Sequence, residues 1–279
     1  YRANRIEALL AGQAKHDVAS MRRIQGDVES SLAMAMRPAF AAAAPETEGG
    51  KRAAALAKGW DGVMRADSPA PLVFAAWYRE LTRLVYSDEL GELFPDCWDQ
   101  RAAFMIAAMT GPASAWCDDV TTAGTETCPQ LAARAMDLAA ADLAKRYGSE
   151  SGWRWGEAHV AASDHRPFGA VPRVARWFNV PVATPGDTYS VNVGHTHIKD
   201  EARPFANRHA ASLRAIYDLE DLDRSLFMHS TGQSGNRLSP WYGNFAERWA
   251  AVDYFTIPTA KEAIAEPRRL VLAPGPRAP

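Results

Sequence analysis

The chain has 279 residues, 47% hydrophobic and 23% charged, with a net charge of −2 and a pI near 6.4. That is enough apolar material to core one large or two ordinary domains, and it excludes a disordered chain. Near-neutral charge gives no reason to expect nucleic acid or an anionic membrane as partner; no run approaches the ~18 apolar residues of a membrane span, and charge is interspersed from Tyr1 to Leu10 as in no signal peptide.

Residues 1–150 read as mainly helical. From Arg2 to Leu10, Ile6, Leu9 and Leu10 make one apolar edge that Gly12 ends. Asp17 caps a second helix whose stripe of Met21, Ile24, Val28, Leu32 and Met36 runs up to Pro38, which stops or kinks it. Residues 39–50 read as a loop punctuated by Pro45, Gly49 and Gly50, and Lys51 to Met64 as a helix around Leu56 and Trp60. Asp67-Ser68-Pro69 is a helix start, a cap followed by a proline whose missing N–H costs nothing in the first turn. Phe74, Trp77, Tyr78, Leu81, Leu84 and Val85 follow at helical spacing, as a core stripe does. Another helix is expected from Trp98 to Met109, ended by Gly111-Pro112, and a long one from Pro129 to about Tyr147, capped at Thr127 or Cys128 and terminated by Gly148. Cys97, Cys117 and Cys128 are too widely spaced for a metal knuckle; Cys117 and Cys128 flank a polar loop that a disulfide could close in an oxidising compartment, free buried thiols being the alternative.

After Gly152 the texture changes to short β-like pieces with many prolines and glycines, which places an internal boundary there and a β-rich segment over 151–258. W-R-W-G-E-A-H (Trp153–His159) alternates as a strand does, Val180–Ala183 and Thr188–Val193 read as strands, and Ser212–Asp218 alternates with Leu213, Ala215 and Tyr217 on one face and Arg214, Ile216 and Asp218 on the other. Gly232 and Gly235 bracket Gln233 and Ser234 in a tight turn that can pass through positive φ. Ser239 and Pro240 then open a helix over 240–251 carrying Trp241, Tyr242, Phe245 and Trp249, and 259–279 is a loosely held tail.

Several constellations carry possible chemistry. His195 and His197 form an H-x-H pair whose period-two geometry on a strand places both imidazoles on one face, the alternative reading of the chain as a metallohydrolase. Ser234 sits in G-Q-S-G, which is not the G-x-S-x-G nucleophile elbow, so a serine triad is unsupported. Trp153, Trp155 and His159 read as packing indoles and a core histidine, and Asp221, Asp223 and Arg224 as a charged turn.

Taken in order, Y-R-A-N-R-I-E-A-L-L at the start, W-D-G-V-M-R-A-D-S-P-A at Trp60–Ala70, W-R-W-G-E-A-H, H-A-A-S-L-R-A-I-Y-D-L, D-L-D-R-S-L-F and T-G-Q-S-G-N-x-x-S-P-x-Y resemble the penicillin acylase family, which holds penicillin, cephalosporin and acyl-homoserine-lactone acylases. The resemblance implies an α+β chain, the C-terminal portion of the four-layer αββα fold of N-terminal-nucleophile hydrolases. In that family the first residue of the β chain is a serine that attacks the amide with its own α-amino group as base. Tyr1 cannot play that part, because a phenol of pKa ~10 on a rigid ring suits neither the attack nor its activation. The expectation is therefore the rear of a β chain, with the nucleophile and the oxyanion asparagine outside it. Its partners would be the α chain and the N-terminal part of the β chain of the same precursor, besides a small-molecule amide. The resemblance further implies that Arg2 supports the oxyanion site. It gives Ser212, Arg214 and the turn of Gly232, Gln233, Ser234 and Gly235 supporting places beside the site, calls for no cofactor and no metal, and implies a periplasmic or secreted location. A non-catalytic binding module is the remaining alternative.

Overall fold

The starts of four helices in the first half are set by side chains that bond backbone N–H groups. The computed structural model describes residues 1–264 together with 272, 273 and 275; of the tail expected over 259–279, residues 265–271, 274 and 276–279 lie outside the described residues. Helix α1 (Arg2–Ala11) ends at Gly12, and α2 (Val18–Gln25) is opened by Asp17, whose carboxylate accepts from Ser20 N at 2.7 Å while Ser20 Oγ accepts from Asp17 N at 2.9 Å. The single helix expected from Met21 through Met36 is two. Gly26 closes α2, Glu29 bridges to Val63, and Ser30 caps α3 (Ser31–Ala42). Helix α3 runs through Pro38 instead of stopping; Pro38 and Met34, whose carbonyl loses its partner, are both exposed, so water can take that bond.

Helix α4 (Glu48–Leu56) starts before the expected Lys51 because Thr47 Oγ1 accepts from Gly50 N at 3.0 Å, and it ends well short of Met64. Gly50 is a packing requirement: a Cβ there would lie 2.1 Å from Asp137 Oδ1. Helix α5 (Ala70–Leu90) begins directly after Pro69, without a side-chain cap from Ser68. The helix expected from Trp98 to Met109 is shortened to α7 (Ala102–Thr110), which Gly111 ends, and a separate short helix α6 (Phe94–Cys97) precedes it. Helix α8 (Cys128–Tyr147) has the expected ends, with Gln130 Oε1 accepting from Thr127 N at 2.8 Å and Gly148 in the left-handed region at φ 72°. Cys117 and Cys128 are joined in a disulfide.

The larger core is built around α5. Leu72, Phe74, Trp77, Leu81 and Val85 are buried on it, and Ala135, Ala139 and Leu143 of α8 let the two helices approach closely. Phe40 stands edge-on to Phe74 at 5.4 Å, and Trp77 Nε1 donates to Ala132 O at 2.9 Å. Arg79, 1% exposed, donates to Ile198 O at 2.8 Å and to Glu80 and Glu201, fastening the second half of the chain to this core.

The second half departs further from its sequence pattern. W-R-W-G-E-A-H is not a strand: Trp155–Ala158 is a short helix, α9, and only β1 (Val160–Ala161) is extended. Trp155 N and Gly156 N donate to Ser68 O and Ala66 O, so the alternating indoles answer to a tertiary contact and not to a pleat. Strand β1 pairs with β2 (Val182–Ala183), separated from it by an unanticipated helix α10 (Pro172–Phe178). Thr188–Val193 is a set of turns organised by Asp187, which accepts from Tyr189 N at 2.8 Å. Strands β3 (Gly194–His195) and β4 (His209–Ala210) form a second pair, and β5 (Leu213–Ile216), β6 (Leu226–His229) and β7 (Phe255–Thr256) a three-stranded antiparallel sheet with Arg214 opposite Met228. Arg214 and Ile216 face inward and Leu213 outward, as the alternation requires. The helix expected over 240–251 shrinks to α11 (Ala246–Ala250), because Phe245 N donates to Thr231 O at 2.7 Å and Trp241 O accepts from Ser234 N, holding the preceding residues against the glycine turn. Ile216, Met228, Trp249 and Tyr254 make a second core, and Val18 and Met21 of α2 pack on it. Helices with three small antiparallel sheets make the described chain α+β.

Candidate functional site

The candidate site lies where the β-strand ends converge. Ala161 is bridged to Asn207, Arg208 N donates to His195 O at 2.8 Å, and Ser230 N donates to Ser212 O at 2.9 Å, carrying the β5–β6 ladder one pair further. These segments enclose an open cavity of about 430 Å³ whose wall includes Asp164, Asn207, Ser212, Ser230 and Trp249. Arg166, Arg203 and Arg208 also line it, so its field is positive on balance against Asp164, the one carboxylate lining it among the described residues. Arg208 is held by Asp200, which also accepts from the Arg203 and Ala202 N–H groups; these bonds and Arg208 keep the Asp200 carboxyl below its usual range. Arg166 and Arg203 are exposed and pair with no carboxylate among the described residues.

Behind the cavity wall, Arg214 is 6% exposed and has no carboxylate beside it among the described residues. Its Nη1 donates to Trp249 O at 2.8 Å and its Nη2 to Asn192 Oδ1 at 2.6 Å, and its guanidinium lies 4.9 Å from the centre of the Trp249 ring. Burial lowers its pKa, but a guanidinium remains charged at any physiological pH. Trp249 Nε1 in turn donates to Ala211 O at 2.9 Å, next to Ser212. Ser212 at the surface and Arg214 beneath it are thus joined through the indole that lines the cavity. Asn192 and Trp249 complete this unit. Trp249 was visible only as one apolar residue of a helical stripe, and Asn192 carried no signal at all, lying in a stretch that reads as strand.

The glycine turn sits apart. Gly232 to Gly235 do not line the cavity, and neither glycine is at positive φ. Gly232 is required by proximity: a Cβ would fall 2.1 Å from Trp241 O and 2.7 Å from Tyr242 C. Ser234 uses its hydroxyl to accept from Asn236 N at 3.1 Å, and Gln233 is exposed. Beyond the turn, Tyr242 donates its hydroxyl to Phe178 O on α10.

Arg2 is exposed in the first turn of α1, a helix with no buried residue, and has no ion-pair partner among the described residues. Its neighbour Arg5 anchors the helix through Asp27 at 2.7 Å and Glu29 at 2.9 Å. The structure therefore joins Ser212 and Arg214, and neither Arg2 nor the turn lines the cavity beside them.

The two histidines of the rival reading stand with ring centres 5.1 Å apart, His195 at the end of β3 and His197 beyond it, in a hollow shared with Asp99 and Asp200. Burial, then the neighbouring His197, lowers the pKa of His195. Among the described residues no group of three or more His, Cys, Asp and Glu side chains is placed to hold a metal ion. His159 is fully buried, stacked on Trp155 at 4.3 Å with Nδ1 donating to Phe205 O at 2.7 Å, and burial depresses its pKa to about 4. It is a neutral core residue. Trp153 and Trp155 donate their indole N–H groups to Gly148 O and Gly186 O. Asp223 accepts from Thr259 and Ala260, and Arg224 pairs with Asp218 and Glu220, so this charged turn ties down the chain just past β7.

A family model described as Penicillin amidase matches residues 1–266. The acyl-homoserine lactone acylase QuiP of Pseudomonas syringae pv. tomato is 27% identical over 301 residues, covering 98% of this chain and 36% of the relative. The protein of the same name from Pseudomonas aeruginosa is 26% identical over 293 residues, covering 92% and 34%. The chain thus spans about a third of the length of the curated relatives it matches. Among solved structures, the thermostable penicillin G acylase from Alcaligenes faecalis superposes with a TM-score of 0.57 at 15% identity, over 98% of this chain and 52% of that one, a likeness of fold. Since the family model takes in nearly the whole chain, both cores and the Ser212–Arg214–Trp249 unit included, the chain belongs to the penicillin amidase family.

Proposed function

We propose that this chain is part of an amidohydrolase that cleaves a linear amide, such as a penicillin, a cephalosporin or an acyl-homoserine lactone, through an acyl-enzyme on an N-terminal serine lying outside these 279 residues. The observation that carries the reading is the family match over 1–266. Ser212 and Ser230 make no side-chain bond to a base, and Ser234 is used in its own turn. Ser20 touches His16 Nδ1 at 3.2 Å, but it is buried and its hydroxyl is committed to the Asp17 cap.

In this reading the serine attacks the amide carbonyl, its α-amino group takes the proton and returns it to the leaving amine, and water releases the acid. Arg2 supplies positive potential where the oxyanion develops, from a helix whose anchoring through Arg5 leaves the Arg2 guanidinium free to face that site. The arginine-lined cavity beside Ser212 suits a polar or anionic portion of the substrate. The Cys117–Cys128 disulfide supports an oxidising, exported location, and no helix of the described residues is long and apolar enough to cross a membrane. The chain's partner is the rest of the precursor, and alone the chain is inactive.

The test is reconstitution with the polypeptide that supplies the serine, assayed on penicillin G and on N-acyl-homoserine lactones. Arg2→Ala should lower kcat about 10²-fold with little change in KM, and Arg2→Lys should recover part of it. A reconstituted protein that hydrolyses no linear amide, or an Arg2→Ala variant with unchanged kcat, would overturn the assignment.

A further inference from the structure

The helical half holds a second hollow, which shares no residue with the cavity beside Ser212 and does not rest on the amidase reading. It lies between α3 and α4, opens to solvent and measures about 580 Å³, within the size range of small-molecule sites. Its floor is apolar: Phe40, Trp60 and Met136 are buried there. Its sides are Ala41, Ala54 and Ala55, and at Gly59, φ 73°, the place of a Cβ has nothing within 4 Å, so the mouth is unobstructed.

The rim has one sign of charge. Arg37, Lys51 and Lys58 line the hollow and, among the described residues, no aspartate or glutamate does. Lys51 is shared with Glu48 at 2.8 Å, whereas Arg37 and Lys58 make no ion pair among the described residues. An apolar floor rewards removal of an aliphatic chain from water, and a cationic rim selects a negative head over a neutral or positive one. We propose that this hollow binds an amphipathic carboxylate with an unbranched aliphatic tail, the head between Arg37 and Lys58 and the tail over Trp60 towards Met136.

Isothermal titration of sodium decanoate into the intact protein tests this. Decanoate should bind at one site, and shortening to octanoate should weaken binding by up to about fourfold per methylene removed. Arg37→Glu with Lys58→Glu should weaken it at least tenfold, and Ala54→Phe, which fills the hollow, should abolish it. Both charged residues are exposed, so their reversal remains informative if Ala54→Phe fails to fold by circular dichroism. Absence of decanoate binding, binding unchanged by the charge reversal or by a folded Ala54→Phe, or equal affinity for decyltrimethylammonium would overturn the proposal.

Discussion

Replacing Arg214 by alanine should be among the most destabilising changes in the second core. The substitution removes the donors to Trp249 O and Asn192 Oδ1, at 2.8 and 2.6 Å; Trp249 O keeps Val252 N at 3.1 Å, so Asn192 Oδ1 is the acceptor left without a partner among the described residues. That orphaned acceptor costs about 1–2 kcal/mol, and loss of the desolvated guanidinium 4.9 Å from the Trp249 ring about 1–2 more. Relief of the desolvation that burial imposes on the cation returns part of this, so the net expectation is about 2–3 kcal/mol. For a chain of this size that corresponds to a fall in Tm of roughly 4–9 °C. Urea denaturation followed by circular dichroism measures the loss. Asn192→Ala alone and combined with Arg214→Ala should show a coupling of about 1 kcal/mol or more, because the two residues share one bond. A loss below about 1 kcal/mol, or strict additivity with Asn192→Ala, would refute the claim that this arginine organises the wall of the cavity.

Three further outcomes follow from individual contacts. His159 is neutral when folded, with a pKa near 4, while an unfolded histidine titrates near 6.5; the unfolded chain therefore binds the extra proton, and stability falls as pH drops from about 6.5 to 4, by up to about 3 kcal/mol. Chemical denaturation across that window should show the slope, and His159→Gln should flatten it. Gly232→Ala should cost about 2 kcal/mol and speed hydrogen exchange at Ser234 N–H, whereas Gly235→Ala, with nothing near the place of its Cβ, should stay within about 0.5 kcal/mol of the parent. Removing the disulfide by Cys117→Ser with Cys128→Ser opens a loop of sequence separation 11 and should cost about 3 kcal/mol, measured against the parent without reductant.

What the sequence made legible was local. The ends of α8 were readable because Thr127, Gln130 and Gly148 act on backbone groups within a few residues of themselves, and the inward side of β5 was readable because pleating alone decides it. The break between α2 and α3 was hidden, since Met21, Ile24, Leu32 and Met36 keep helical spacing across Gly26–Ser30 although Met21 packs on the second core and Leu32 and Met36 belong to the first. Trp153 and Trp155 imitate a strand although both are buried in the first core, Trp155 with its indole N–H on the distant Gly186 O. The site followed the same rule. Ser212 and Arg214 stood in one short pattern, but the bond that gives Arg214 its place goes to Asn192, 22 residues away, and no spacing announces it. Of the aromatic stripe from Trp241 to Trp249, Phe245 and Trp249 join the second core while Trp241 is exposed, and the backbone ahead of α11 is held by Thr231 and Ser234 in turns.

The placement of α2 has a consequence for how the chain is made. Its partners are late: Val18 and Met21 pack on the second core, Gln25 Nε2 donates to Ala215 O across 190 residues, and Gln25 Oε1 accepts from Tyr254 across 229. At ~5–20 residues per second, a ribosome needs roughly 10–50 s after making α2 to deliver the strand and tyrosine that hold it. Meanwhile α3, α5 and α8 can assemble, since Phe40, Phe74, Trp77 and Leu131 all lie within the first half. Helix α2 thus closes last, as a clasp over a core assembled without it, and any cut between the two halves strands α2 on the wrong side.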